Sequence, residues 1–353
     1  MIPYLILLIV VWAIAYVGRQ SLSTGIRYAS IGAVILLLVL FAGLRDRAVG
    51  TDTGNYVYWF EIVNSYADNW STTEIGYRGL TALSAALSNN YAILLILIAL
   101  LAVSSYITTI VKLNRQYDIS IFLLVTSGCY TFFFNGARQG IAASICFLAL
   151  PWLLKRRPIP YFLLVGTAAL FHHTALIAGP LYFLARPTFS RMQIAVYVVG
   201  LFLAVELLPF FVHFVSENID NKYANYADRS EGGGIITVIF LTIQGAALFL
   251  LRKIIDDREG CYTRLLNIYL IGLLPSIAAV LSNVNPSGIL RLHLYFSQAG
   301  ILLWPMLFEN FRRTPLRDIF MFAFFLIGVT FFVLTTNRFG DLVPYQLNTD
   351  FVW

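Results

Sequence analysis

Residues 159–185 read IPYFLLVGTAALFHHTALIAGPLYFLA, and the way this stretch crosses a bilayer decides the fold. Taken whole, it is one long apolar crossing interrupted by His172-His173-Thr174. Taken as 159–171 and 174–185, it is two crossings of 13 and 12 residues. Each of these falls short of the roughly 20 residues that span hydrocarbon. The choice sets the side on which every later loop emerges, so charge is the arbiter.

Working outward, twelve apolar segments appear: 2–18, 28–43, 91–111, 119–135, 138–154, the two short ones, 192–214, 235–251, 263–282, 288–308 and 316–335. With the N-terminus outside, sixteen of the 24 Lys and Arg then fall in inner connections, Arg19, Lys112, Lys155, Arg156 and Arg157 among them. Merging 159–185 into one helix leaves 11 inside and 13 outside. Short inner loops carry the excess of Lys and Arg, so the split favours two crossings. The expected fold is an all-α polytopic integral membrane protein of about 12 transmembrane helices, two of them short, in a single membrane domain over 1–353.

Composition agrees with lipid as the solvent. Of 353 residues, 59% are hydrophobic and 12% charged, against roughly 25% charged in a soluble domain. The net charge of +6 is the topological bias itself and implies no nucleic-acid partner. The first segment lacks a basic start and a small-residue cleavage site, and reads as a retained helix. Cys129, Cys146 and Cys261 have no ligand spacing and form neither a disulfide framework nor a metal site.

Two outer loops are expected to be long. Residues 44–90 include Tyr77, Leu80, Leu83 and Leu87 at helical spacing, an amphipathic helix on the outer surface. Residues 216–234 hold charges and three glycines, and read as a mobile loop.

Eight cations stand outside: Arg45, Arg47, Arg78, Arg138, Lys222, Arg229, Arg291 and Arg338. Topology disfavours basic residues there, so those at helix ends need another reason. Arg138 opens the fifth segment, and Arg291 is expected in the first turn of the eleventh. Helix N-termini favour anions, and a guanidinium adds bidentate donors suited to phosphate. His172 sits at the junction of the short segments, where a broken or short helix often marks a membrane binding site. It can act as base, acid or phosphate donor. The stretch LRDRAVGTDTGNYVYWF (44–60) adds Asp46, Asp52, Asn55 and Tyr56 beside aromatic rings, the mixture a sugar site uses. Either His172 or Asp52 is the base. The bland reading of the same residues is snorkelling arginines paired with outer carboxylates.

Three stretches resemble the EpsG/Wzy-type polysaccharide polymerase family. The first is Gly43-Leu44-Arg45-Asp46 with Val49-Gly50-Thr51-Asp52-Thr53 and Asn55-Tyr56. The second is Asn135 with Arg138-Gln139-Gly140-Ile141-Ala142. The third is Phe171-His172 with Thr174-Ala175-Leu176. The resemblance implies a GT-C-like membrane glycosyltransferase that joins undecaprenyl-pyrophosphate-linked oligosaccharide repeat units into O-antigen or exopolysaccharide. It would work at the outer face of the bacterial inner membrane, without metal or cofactor, and release undecaprenyl pyrophosphate. Its implied partners are those lipid-linked units, membrane lipid, a chain-length regulator and a flippase. In this reading His172, Asp52 and Arg138 are catalytic, while Arg45, Arg78, Gln139, Asn135, Asp46, Asn55 and Tyr56 hold substrate or pyrophosphate; Arg291 joins them on the helix-start argument alone. The rival readings are a lipid-linked oligosaccharide flippase and an O-antigen ligase-like transferase. A flippase calls for charges spread through the span, whereas these gather on the outer side.

Overall fold

The computed structural model describes residues 1–65, 74–218, 234–282, 287–311 and 314–349. The charged residues 220–231 of the second expected loop, Lys222 and Arg229 included, lie outside them. Among the described residues the chain is helical with no strand, and it divides into two compact units, Met1–Gly179 with Phe311–Trp353, and Pro180–Asn310.

The first unit contains α1 (Ile2–Gln20), α2 (Thr24–Gly43), α3 (Thr53–Ser65), α4 (Ile75–Leu87), α5 (Ala92–Leu113), α6 (Tyr117–Thr126), α7 (Cys129–Asn135), α8 (Ala137–Leu154) and α9 (Pro158–Ala169). A 3-10 turn at His173–Ala178 follows. The second unit holds α10 (Leu181–Leu184), α11 (Arg191–Asn218), α12 (Ile235–Leu251), α13 (Cys261–Leu281), α14 (Ser287–Leu292), α15 (Leu294–Ser297) and α16 (Gly300–Asn310). The long α17 (Pro315–Arg338) returns to the first.

Among the described residues, eight helical stretches are long and apolar enough to cross a membrane: α1, α2, α5, α6 with α7, α8, α12 with the turn after it, α13 and α17. This is a multi-pass membrane protein. Lipid as solvent is visible in α17, where Leu316, Ile319, Phe322, Leu326 and Ile327 are all more than half exposed. In water such a stripe would be an aggregation site; in hydrocarbon it costs nothing. Local rules set the helix starts. Ser23 Oγ accepts the Ile26 N–H at 3.4 Å to cap α2, and Thr314 Oγ1 accepts the Arg317 N–H at 3.3 Å ahead of Pro315 in α17. Gly128, at φ 82, breaks α6 from α7 in a conformation that L-residues rarely adopt.

Packing in the first unit centres on α5, which lies against α2 and α8, while α8 lies against α9 and α1 against α2 and α6. Within the first unit, the stretch 159–179 is a reversal. α9 is 12 residues, about 18 Å of helix. The chain then turns at Leu170–His172 and comes back along it, so that Tyr161 O–H donates to the Ala178 carbonyl at 2.6 Å. His172 is at the apex. A 12-residue helix covers only part of about 30 Å of hydrocarbon.

The helix expected around Tyr77–Leu87 is present as α4, with Tyr77, Leu80, Thr81 and Ser84 as its buried face and Leu83 and Leu87 exposed. Helical spacing alone could not say which stripe meets α5. The stretch 288–308 is not one helix but α14, α15 and α16 in succession, and Arg291 falls in the last turn of the six-residue α14. The helix-start argument for Arg291 therefore does not hold, because its position is at the wrong end of the dipole.

One end of the first unit collects the polar loops. Residues 44–53 follow α2, Asn135 and Gly136 join α7 to α8, and the segment after α17 lies along both. The opposite end joins α1 to α6 through an Arg19–Asp118 ion pair at 2.8 Å.

Candidate active site

The 44–53 stretch is built from its own side chains. Asp46 Oδ1 accepts the Ala48 N–H at 2.8 Å, and Thr53 O–H donates to the Val49 carbonyl at 2.7 Å. The segment beyond α17 then braces it. The N–H groups of Gly50 and Asp46 donate to the carbonyls of Asp341 and Gln346, each at 2.9 Å, and Asn348 N–H donates to Leu44 at 2.8 Å. Tyr345 stacks on Phe41 with ring centres 4.1 Å apart. Asn135 ties the same segment to the α7–α8 junction by donating to the Gly340 carbonyl at 2.8 Å.

Arg45 is the keystone of that loop. None of it is exposed, and its guanidinium lies 4.3 Å over the Phe134 ring. It donates to Thr53 Oγ1 at 3.3 Å from two nitrogens, to the Ala42 carbonyl, and to the Phe134 carbonyl at 3.5 Å. Burial pulls it down to about 10, with Tyr130 and Tyr56 opposing, so it stays charged at neutral pH. Arg45 was expected to meet pyrophosphate. The structure gives it carbonyls, a hydroxyl and a ring instead, with no exposed surface. Arg47, half exposed, pairs with Glu61 at 2.5 Å.

The charged centre forms around a residue the sequence reading did not single out. Glu74 lies just before α4, and only 7% of its side chain is exposed. Its Oε2 accepts from Arg138 Nη1 at 2.6 Å, and its Oε1 lies 2.7 Å from His172 Nδ1. One carboxylate thus bridges the first turn of α8 and the apex of the α9 reversal. Gly76 makes the approach possible. Its N–H donates to the Leu170 carbonyl at 2.8 Å, and a Cβ there would stand 2.8 Å from that same oxygen. Burial opposes ionisation of Glu74, but its bonds to His172, its backbone and Arg138 outweigh that and hold the carboxyl down at about 2. An ionised carboxylate only accepts, so Nδ1 carries the proton in the neutral His172 ring and Nε2 presents its lone pair. An arginine at a helix start calls for a counter-charge. That was the one signal for Glu74, and Asp46 and Asp52 answered it equally well.

Tyr56 completes the wall. Its phenol oxygen accepts the Ala137 N–H at 2.9 Å, satisfying a free donor at the start of α8 immediately before Arg138. Burial pushes it up to about 12. The remaining expected residues scatter. Asp52 is half-buried at the head of α3, Asn55 is exposed, Gln139 is buried in α8, and Arg78 is half-buried on α4. Arg291 is exposed and belongs to the second unit. That unit has its own polar knot, in which buried Asn267 accepts from Gln193 at 2.8 Å and Tyr197 at 2.7 Å.

These features define a multi-pass membrane protein with a cation, an oriented imidazole and a shared carboxylate held at helix ends. The EpsG family model matches residues 28–347, and the chain belongs to the EpsG family. Membership points to polysaccharide-polymerase-type activity in a membrane protein. No curated protein and no solved structure matches it. Glu74, Arg138 and His172 all fall inside the matched range.

Proposed function

We propose that the protein is an inverting glycosyltransferase that joins undecaprenyl-pyrophosphate-linked oligosaccharide repeat units, in a twelve-crossing, GT-C-like bundle of the bacterial inner membrane. The cluster of Arg138, Glu74 and His172 faces the periplasm or exterior in this reading, because the Lys- and Arg-rich connections take the other side. The single observation that carries the proposal is the bridging carboxylate of Glu74, which orients a base and a phosphate-binding cation at one place.

The step follows from those roles. A hydroxyl of the acceptor unit gives its proton to His172 Nε2 as its oxygen attacks C1 of the donor glycan. The C1–O bond to phosphate breaks, and undecaprenyl pyrophosphate leaves with the electron pair. Its growing charge is met by the remaining N–H groups of Arg138, whose side chain is 40% exposed, and by the positive end of α8. Asp52, Asn55 and Arg78 are the candidate sugar contacts. Cleavage of the activated glycosyl–phosphate bond at C1 supplies the driving force. Supply of lipid-linked units requires a flippase, and a chain-length regulator is the expected second partner.

Replacement of Arg138 or His172 with Ala tests the reading. Membrane insertion is expected to persist while long surface glycan collapses to single repeat units on a gel. A ladder of normal length in both variants would remove this site.

A further inference from the structure

Tyr77, three residues after Glu74, has a feature that packing does not account for. The residue is 5% exposed, and among the described residues its hydroxyl finds no hydrogen-bond partner. A buried hydroxyl left without a partner is destabilising, and phenylalanine would fill the same space without that penalty. Buried polar groups are almost always paired, so each exception calls for a reason.

Its surroundings supply one. The Tyr77 ring lies 6.3 Å from the Tyr56 ring, whose oxygen is already engaged with the Ala137 N–H. The Tyr56 ring it neighbours is the one whose oxygen meets the first N–H of α8, so Tyr77 lies on the side of the start of α8. The backbone ahead of it is pinned by Gly76 on Leu170, and Tyr77 N–H itself donates to the Glu74 carbonyl at 3.1 Å. The ring therefore has little freedom to turn its oxygen elsewhere.

We infer that Tyr77 is a substrate-contacting residue whose hydroxyl donates a hydrogen bond to a phosphate oxygen of the lipid-linked donor, alongside Arg138. This rests on the pyrophosphate-leaving reaction proposed above and deepens it. Burial raises the phenol well above its ordinary value, so the group stays protonated and acts only as a donor to an anion. The hydroxyl oxygen is covered in the empty site, so substrate entry has to uncover it before it can donate. The unpaired hydroxyl then exchanges stability in the empty site for transition-state binding in the filled one, a pattern common to functional positions.

The test is Tyr77→Phe in the full-length protein, purified into nanodiscs and supplied with lipid-linked repeat units. Turnover is expected to fall about 10- to 100-fold, as for loss of one hydrogen bond to a charged group. The thermal unfolding midpoint should stay equal or rise. Inorganic pyrophosphate should protect the wild type against unfolding more than it protects Tyr77→Phe. Full turnover in Tyr77→Phe, with Arg138→Ala inactive, would overturn the inference and leave the proposed reaction standing. Full turnover in Arg138→Ala would remove the reaction itself. A lowered unfolding midpoint with a matching loss of turnover would make the hydroxyl structural and also overturn the inference.

Discussion

Glu74→Gln isolates the charge that joins the two halves of the site. In the wild type one carboxylate accepts from both Arg138 and His172. A carboxamide has one oxygen, so one of these donors must face an NH2 group. The carboxyl is held at about 2 against an ordinary 4.5. At about 1.4 kcal/mol per pH unit that gap is worth about 3 kcal/mol, reduced to roughly 1–3 because the Arg138 side chain is partly exposed to screening. The sign follows from a lowered pKa. The contribution is complete above pH 4.5 and is lost as pH falls through about 2. The difference in unfolding midpoint between wild type and Glu74→Gln should therefore be constant near neutrality and shrink below pH 4.5. The effect on turnover should be larger than on stability. Without the carboxylate His172 loses the bond that keeps the proton on Nδ1, and general-base contributions are about 10²–10⁴-fold. The assay pairs polymer length on a gel, at matched membrane levels, with thermal unfolding across pH 3–8. Turnover within about threefold of wild type, in protein that melts normally, would refute the role given to Glu74.

Two further perturbations address how the site is held. Gly76→Ala places a methyl 2.8 Å from the Leu170 carbonyl, so the 74–77 segment must lift away. A cost of about 1–3 kcal/mol in unfolding is expected, with loss of polymer that Glu74→Asp, through its shorter reach, should partly share. Ending the chain after Arg338 removes the acceptors for the Asp46, Gly50 and Thr51 N–H groups. Amide exchange at 44–53 should rise sharply while exchange in α5 and α8 stays slow; uniform slow exchange would show that the loop does not need the brace.

Much of the fold is written in hydropathy and charge, because both act locally and along the chain. A span needs a run of apolar residues, so the membrane class and the break at His172 are legible without coordinates. Arg138 at the start of α8 follows from the same local rules. Where local rules gave out, the reading missed. The helix predicted over 288–308 breaks into three, so Arg291 loses its place at a helix start. Arg45, Asp46 and Arg138 look alike in sequence as outer polar residues. Yet one is wholly buried on carbonyls, one closes a turn, and one meets a carboxylate 64 positions away.

Glu74 shows why. Its neighbours in sequence say only that it precedes a helix, and no periodicity reports a contact across 98 positions to His172. The 159–185 stretch, with which the sequence reading begins, determined by itself that a histidine would stand at a break between two short apolar runs. Only the tertiary structure decided what that histidine faces, because the energy of a buried charge depends on which distant group is brought within hydrogen-bonding distance of it.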